Sequence, residues 1–254
     1  MTKFLILIVF RDRHNKLEKN RDSRHYILIT TTILLITFFS AHTKLHAINN
    51  TKGEIGYALS FEVNRSFYSS SLSTFGEVAL NDIFTLKGGF SIGKMGTSSD
   101  TRLFAKAETN LPIKVPLQLS LHYIYNEYPE YRTAAHTLLP MISLKYRRAG
   151  ISAGPAWRFT TFNREQPIIE PIISFSCYIN FINSENILFG LAIANITDFH
   201  AGNTGSYFPK LYSTFRLSNI AFLTNELIVH QTGSIALAAN FYGIAYKVGM
   251  SFRW

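Results

Sequence analysis

The sequence is poor in cysteine, in charged residues and in long apolar runs. Its one cysteine, Cys177, cannot form a disulfide within the chain, which excludes a disulfide-stapled scaffold. Residues 26–40 form an uncharged run of about fifteen residues, too short for a comfortable transmembrane helix. Only 16% of the residues are charged, 14% are aromatic, and the mean hydropathy is +0.09. This balance favours a chain whose surface faces something other than water, yet it is far from that of a helical membrane protein.

The chain also lacks two of the short motifs by which hydrolases and metal enzymes are recognised. It has no His-x-Ser pair and no His-Glu-x-x-His, and the histidines after residue 47 are scattered at 122, 136, 200 and 230. With a single cysteine, this scatter gives no metal-ligand spacing. We therefore predict no catalytic residue, no metal and no cofactor. A lipid-modifying enzyme remains the alternative, with His136 and Glu130 as candidate residues.

The formal net charge of +9 is concentrated near the N-terminus. Residues 1–47 hold eight Lys or Arg and three Asp or Glu, which leaves 17 bases and 13 acids, a net +4, for residues 48–254. Nucleic-acid binding therefore loses its main support, and we predict no nucleic-acid partner.

Residues 21–47 have the organisation of a secretory signal peptide. Basic residues precede the apolar run at 26–40, and Ala47 is a suitable residue before a cleavage site. The alternative is an uncleaved anchor helix. Residues 1–20 are then either an unusually long basic segment or the result of a start site assigned too early. We predict an N-terminal extension and signal peptide over residues 1–47.

The clearest pattern lies at the end of the chain. From Ile244 to Trp254 every even position is apolar, and the odd positions are small or polar. This period-two alternation predicts a strand with one apolar face. The face stays apolar to the last residue, where a soluble strand would normally end in polar residues, so something must cover it and lipid is one candidate.

Four residues of this strand carry a family resemblance. Lys247, Gly249, Phe252 and Trp254 follow the spacing polar, x, Gly, x, x, apolar, x, aromatic at the chain end. The segment therefore resembles the C-terminal β-signal of bacterial outer-membrane β-barrels, with a soluble edge strand as the alternative. The resemblance implies a place in the bacterial outer membrane, contact with its lipid, and recognition of these four residues by the barrel-assembly machinery during insertion.

Alternation recurs along residues 48–254, where no pattern of helical period exceeds two turns. Apolar faces of strands are recognised at residues 57–63, 84–92, 117–125, 138–146, 151–159, 173–181, 187–193 and 211–217. We predict an all-β fold for residues 48–254, a single transmembrane domain folded as an antiparallel up-and-down β-barrel.

The predicted connections alternate in length. Longer ones fall at residues 64–72, 94–100, 126–135, 161–167 and 198–209, and tighter ones at 81–82, 110–114, 148–150, 183–185 and 218–219. Short turns of outer-membrane barrels face the periplasm and longer loops face outward, so this asymmetry places the N-terminus on the periplasmic side.

The strand count depends on the last segment. Apolar residues occupy odd positions from Ile235 to Phe241 but even positions from Ile244 onward, so the face changes near Tyr242 and Gly243. Two separate strands would make thirteen, against the even number of bacterial single-chain barrels. A bulge at Tyr242 and Gly243 within one strand restores the parity. We predict twelve strands, with ten or fourteen as alternatives.

Residues opposite the apolar faces are predicted to point into the barrel. Eight of the ionisable ones are basic and four acidic: Lys87, Lys106, Lys145, Arg147, Arg158, Arg216, Lys247 and Arg253, against Glu62, Glu108, Glu170 and Glu226. An open lumen with this excess would favour anionic solutes. The alternative is that these residues pair across the lumen and nothing passes.

Prolines interrupt three of the predicted strands. Pro140, Pro155 and Pro171 lie inside these strands, where we expect bulges or a local opening of the wall because proline has no N–H.

We predict an integral outer-membrane barrel that acts as a small pore or passive membrane component. A third hypothesis makes loops 126–135 and 198–209 a surface for host or phage contact. The oligomeric state is not predicted.

Overall fold

A computed structural model shows a closed antiparallel barrel in which each strand pairs with its neighbours in chain order. It describes residues 51–254 except 65–67, 81–82, 96–97, 112, 114, 164–165, 203–204 and 233–239. Within these residues the twelve strands are β1 (Lys52–Asn64), β2 (Tyr68–Leu80), β3 (Phe84–Met95), β4 (Ser98–Asn110), β5 (Leu117–Tyr128), β6 (Thr133–Tyr146), β7 (Ala149–Phe162), β8 (Ile168–Asn183), β9 (Ile187–Ala194), β10 (Ser206–Arg216), β11 (Ala221–Thr232) and β12 (Asn240–Arg253). The predicted fold and strand number are confirmed.

The two faces of each strand differ in the way that the alternation predicts. On β1, Tyr57 and Leu59 point outward and are 49% and 46% exposed, whereas Ala58 between them is 2% exposed. On β12, Ile244 and Tyr246 are exposed and Ala245 is buried. The outer surface is therefore a continuous apolar band, which is stable when lipid rather than water covers it.

Pairing of β1 with β12 closes the barrel. The register runs from Glu54 opposite Arg253 to Asn64 opposite Gly243. Beyond it, the Gly53 N–H donates to the Trp254 carbonyl (3.2 Å) and the Trp254 N–H donates to the Gly53 carbonyl (3.1 Å). The Trp254 ring lies where a side chain at residue 53 would be, so only glycine fits there. Closure thus continues to the last residue.

The face change predicted in the last strand is present as a bulge. His230 of β11 pairs with Gly243 of β12, whereas Gln231 pairs with Phe241, so Tyr242 is the extra residue. The predicted position of the bulge is thereby confirmed. Residues 235, 237 and 239, which contributed to the odd-numbered pattern, lie outside the described residues.

The predicted loop lengths are wrong in several places. The loops expected at 64–72 and 94–100 are mostly strand, because β1 and β2 leave only residues 65–67 between them and β3 and β4 leave only 96–97. The turn expected at 110–114 spans residues 111–116 instead. Polar residues such as Ser69 and Asp100 suggested loops, but they are interior side chains of extended strands.

The connection between β5 and β6 contains a short 3₁₀ helix, Pro129–Tyr131, followed by Arg132 with a positive φ of 48°. Among the described residues, no helix is long and apolar enough to cross a membrane. The predicted N-terminal extension and signal peptide, residues 1–47 with cleavage near Ala47, lie outside the described residues.

Candidate functional site: the lumen and its inward hairpin

The barrel encloses a cavity of about 600 Å³. Hydroxyl groups form much of its wall, from Ser60, Ser69, Ser71, Ser73, Ser91, Ser120, Ser143, Ser152 and Ser176. These serines occupy inward positions of seven strands, β1 to β3 and β5 to β8, which explains why small polar residues alternate with lipid-facing apolar ones in the sequence.

The connection between β9 and β10 does not extend from the barrel but folds into it. We call residues 195–202 the inward hairpin. Its ends are joined by a bridge between Ile196 and Ala201, and by a hydrogen bond from the Gly202 N–H to the Asn195 carbonyl (2.6 Å). Asn195 is 0% exposed and Ala201 is 2% exposed. The predicted external loop 198–209 is therefore wrong over the hairpin, and residues 206–209 belong to β10.

The side chain of Asn195 directs the hairpin inward. β9 ends at Ala194, and the Asn195 amide then bonds to the edge of β8 in place of another strand residue. Its Oδ1 accepts from the Phe175 N–H (2.8 Å) and its Nδ2 donates to the Ile173 carbonyl (2.7 Å). These bonds satisfy the backbone of β8 where β9 has ended, so the chain is free to turn away from the wall.

The tip of the hairpin is a tight turn. The Thr197 N–H donates to the His200 carbonyl (2.7 Å), and the His200 N–H donates to Thr197 Oγ1 (3.1 Å). This turn presents Asp198 and Phe199 to the far wall of the barrel. Phe199 packs edge-on against Phe104 of β4, with 4.8 Å between ring centroids.

Polar contacts fix the same tip. Asp198 Oδ2 accepts from Lys87 Nζ of β3 at 2.9 Å, and the Asp198 carbonyl lies 3.1 Å from His122 Nε2 of β5. On the other side of the hairpin, Arg158 of β7 donates to the Ala201 carbonyl. Burial opposes ionisation of Asp198, but the Lys87 ammonium outweighs that effect and lowers the pKa of the carboxyl below its ordinary value. Asp198 is therefore an anion, and its exposed part, 36% of the side chain, faces the enclosed lumen.

An apolar cluster supports the hairpin from β4 to β8. Leu139 and Ile124 are 0% exposed, and Ala201 of the hairpin packs among them. The complete cluster is Phe104, Ile124, Leu139, Met141, Ala156, Ile172 and Ala201. The inner faces of β5 to β8 consequently carry both the apolar cluster and cavity-lining serines, at different positions along each strand.

The lumen charges expected from the sequence mostly lie in pairs. Lys106 and Glu108 are 2.7 Å apart, and Arg158 and Glu170 are 3.4 Å apart. Glu226 lies between Lys210 at 3.1 Å and Lys247 at 3.7 Å. Glu62 lies 3.9 Å from His230. Lys145 is on the inward face of β6 but exposed near its end.

Three of the expected lumen bases lie at the barrel end that carries both termini. Arg253 pairs with Glu54 at 2.8 Å, and Arg216 donates to the Ser218 carbonyl (3.2 Å) of the next turn and lies 3.9 Å from Glu185. Arg147 is placed wrongly by the prediction. It occupies the tight turn after β6 with φ of 49° and its guanidinium lies over the Tyr146 ring.

Sequence reasoning missed several interior charges. Asp100, Arg102, Asp198 and Lys210 all had been assigned to loops or overlooked, yet Arg102 pairs with Asp100, which is 2% exposed. The clue for the first two was their alternation with Thr101 and Leu103 in a continuous strand. Because these acids accompany the bases, the excess of positive charge in the lumen stays a prediction.

His200 makes the seating of the hairpin sensitive to pH. Burial, as the largest cause, and the nearby charges of Arg102 and Arg158 together lower its pKa from 6.5 to about 3. A histidine that is neutral when seated but binds a proton when released favours release as the pH falls below about 6.5. We expect hydrogen exchange of residues 195–202, corrected for intrinsic rates, to rise by up to about tenfold per pH unit between pH 6.5 and 4.

The His200→Gln variant is the control for this pH dependence. It keeps a polar side chain but does not titrate, so its corrected exchange should stay level over the same range. An equal acid response in His200→Gln would contradict the assignment and point to the other histidines, His122 and His230.

The solved structures to which the chain is similar are outer-membrane barrels. No family model and no curated protein matches the sequence. The KdgM porin in complex with disordered oligogalacturonate has a TM-score of 0.50 and 8% identity, over 78% of this chain and 98% of that one. The NanC porin gives the same four values. A Salmonella typhi outer membrane phospholipase has a TM-score of 0.44 and 8% identity, over 79% and 90% of the two chains.

The closed twelve-strand barrel, its apolar outer band and its likeness to the two porins define the class of the protein. The chain has the closed β-barrel fold of these two porins.

Proposed function

We propose that this barrel is a narrow outer-membrane pore for small polar solutes, with the inward hairpin as its constriction. The observation that carries the proposal is the serine-lined cavity of about 600 Å³ bounded by Asp198, Phe199 and His200 of the hairpin. Hydroxyl groups replace the hydration of polar solutes without holding them strongly, which suits passage. The likeness to porins, one of them with bound oligogalacturonate, supports the same function.

The charge preference of the pore is proposed to arise at one cluster. Lys210 and Lys247 flank Glu226, so this part of the wall holds two ammonium groups for one carboxylate. The other bases along the cavity, Arg102 and Lys106, have acidic partners of their own. A weak preference for anions is therefore expected.

Single-channel recording in planar bilayers tests the pore. Wild-type protein should give small steps of current, and a salt gradient should give a reversal potential on the anion side. Lys247→Met should move that potential toward cations because it removes one of two ammonium groups beside Glu226. Lys145→Met, at the exposed end of β6, serves as the matched control and should leave it unchanged.

The pore hypothesis would be refuted if correctly folded protein, identified by heat-modifiable migration on gels, gave no current steps in repeated preparations. A conducting pore whose selectivity ignored Lys247 would retain the pore but reject the cluster as its filter.

The assembly role of the chain end is part of the proposal. Lys247, Gly249, Phe252 and Trp254 are proposed to be read by the barrel-assembly machinery after export, and outer-membrane lipid to cover the apolar band. Their position in β12 supports this proposal. Because β12 pairs with β1 to close the barrel, recognition of β12 comes before closure.

The other two hypotheses receive no specific support. His136 Nδ1 lies 2.7 Å from Tyr123 Oη on the outward face, whereas Glu130 accepts from the Ser99 N–H at 2.9 Å, so the two candidate catalytic residues have different partners. The contact surface proposed at 198–209 includes the inward hairpin, which is directed away from the exterior.

A further inference from the structure

The ladder between β6 and β7 is interrupted near the middle of both strands. Leu138 pairs with Trp157 and Ile142 pairs with Ala153, but residues 139–141 and 154–156 between them form no ladder pairs. The register is the same on both sides of the interruption, so no bulge causes it. That register places Pro140 directly opposite Pro155.

The two prolines remove the hydrogen bonds that would close this seam. The Asn163 N–H donates to the Arg132 carbonyl (3.1 Å) in the same register. Hydrogen-bonded pairs alternate with non-bonded ones along an antiparallel ladder, so the position of Pro140 and Pro155 is also a bonded one. Neither residue has an N–H, and both donors are missing from the same pair.

The two backbones approach each other closely beside the prolines. A side chain at Gly154 would overlap the Pro140 carbonyl oxygen, so the wall at this point accepts only glycine. The ladders on either side are intact, because Leu121 pairs with Pro140 on β5 and Pro155 pairs with Ile173 on β8. The missing donors therefore weaken the seam between β6 and β7 and not the two ladders beside it.

Apolar side chains lie on both faces of the interruption. On the outside, Ile142 and Ile151 lie toward one end of the interruption, and Leu138 and Trp157 lie toward the other end. All four side chains are exposed to the lipid region. Inside, the residues at the interruption are Leu139, Met141 and Ala156, which are 0%, 7% and 1% exposed. Elsewhere the described cavity wall behind the lipid-facing band is rich in serine.

Met141 belongs to this apolar layer and also lines the cavity. One layer of side chains thus separates the hydrocarbon region from the lumen at the seam. Ser143 and Ser120, with Lys106 and His122 beyond them, line the same cavity, so a polar group has partners within reach of the apolar layer.

We propose that the seam between β6 and β7 at Pro140 and Pro155 is a lateral portal through which a single-chain amphiphile passes between the bilayer and the lumen. The chain crosses between the prolines against Leu139 and Met141, and the polar head enters the serine-lined cavity. In hydrocarbon a complete hydrogen-bond ladder is costly to break, so a pair without N–H donors is the place where strands separate most easily. The portal does not depend on whether the pore conducts ions.

Thiol labelling from the bilayer tests the portal. In a Cys177→Ser background, Met141→Cys places a thiol behind the seam, and Ser73→Cys places one on the cavity wall behind intact ladders. The two native side chains are equally covered, at 7% and 6% exposure. In vesicles that contain dodecylmaleimide, we expect the thiol at position 141 to react at least about fivefold faster than the thiol at position 73, an opening difference of the size of one or two hydrogen bonds.

Restoring the missing donors should close the portal. The Pro140→Val and Pro155→Val changes together should slow dodecylmaleimide labelling at position 141 by about fivefold or more, since two hydrogen bonds become possible. Pro171→Val is the matched control, because Pro171 is also outward-facing but its ladder with Trp157 is continuous. It should leave the rate unchanged.

A charged, membrane-impermeant maleimide separates this path from the pore. Its reaction with the thiol at position 141 reports entry through the barrel mouth and should be the same with and without the proline replacements. Equal dodecylmaleimide rates at positions 141 and 73, or a rate at 141 that the two valines leave unchanged in heat-modifiable protein, would overturn the portal. Loss of ion conductance alone would bear on the pore and not on this seam.

Discussion

The double change Phe252→Ala and Trp254→Ala is expected to reduce folded barrel in the outer membrane by about tenfold or more in cells, a loss of order 1.4 kcal/mol or greater in the step that inserts the protein. Both side chains lie at the closing seam. Phe252 pairs with Ile55 of β1 and Ala221 of β11, and the Trp254 backbone exchanges two hydrogen bonds with Gly53. The amount of heat-modifiable protein in outer-membrane fractions measures the effect.

Spontaneous refolding of the double variant into lipid vesicles separates two possible effects, lost recognition by the assembly machinery and impaired closure of the barrel. If the machinery reads Phe252 and Trp254, the double variant should refold into lipid vesicles nearly as well as wild type, because the backbone bonds at Gly53 remain. Tyr57→Ala is the control. Tyr57 is outward-facing, 49% exposed, and its ring lies 6.4 Å from that of Phe252, so the change removes a similar lipid contact on the other side of the seam.

The possible results point in different directions. Loss in cells with normal refolding supports the assembly signal, provided that Tyr57→Ala behaves like wild type in both assays. An equal loss in vesicles would show that the two residues act through closure of the barrel. A double variant that reached wild-type levels in cells would contradict both roles.

The lipid-facing half of the fold was predictable because one physical rule governs it. Every second side chain from Leu59 to Phe61 on β1, and from Ile244 to Phe252 on β12, faces hydrocarbon, so the alternation is regular. Where the rule breaks at Tyr242, parity required a bulge and the structure has one. Regular local patterns therefore determined the strands, their number and their outward faces.

The inward half was less predictable because polar residues mark both loops and lumen walls. Ser69 and Asp100 point into the barrel, but in the sequence they resemble loop residues. The inward hairpin depends on partners far along the chain, with Lys87 separated from Asp198 by 111 residues. Phe199, an aromatic residue in the segment predicted to be an external loop, was the available signal.

The opposed prolines were likewise only partly predictable from the sequence. The sequence marked Pro140 and Pro155 as interruptions and suggested a bulge or an opening. It could not place them opposite each other, because their register is set by the turn at residues 147–148 and the pairs on either side of it. The structure excludes the bulge at this seam and leaves the opening, and this choice is the basis of the portal.

The change Lys87→Glu is expected to release the inward hairpin and to raise single-channel conductance several-fold. It replaces the ammonium 2.9 Å from Asp198 Oδ2 with a second carboxylate, so attraction becomes repulsion. Breaking a fully buried pair costs roughly 3–5 kcal/mol. Lumen water reaches 22% of Lys87 and 36% of Asp198, so we expect a smaller effect, of roughly 1–3 kcal/mol, which still shifts the seated population by about five- to a hundredfold.

Two matched variants isolate the hairpin as the cause. Lys106→Glu makes the same charge change on β4, where the lysine pairs with Glu108 at 2.7 Å and not with the hairpin. It should change selectivity but not hydrogen exchange of residues 195–202. The exchanged pair Lys87→Asp with Asp198→Lys should restore both slow exchange and low conductance. If Lys87→Glu kept wild-type exchange and conductance, the contacts of Phe199, Arg158 and the apolar cluster would suffice to seat the hairpin, and the ion pair would not be its anchor.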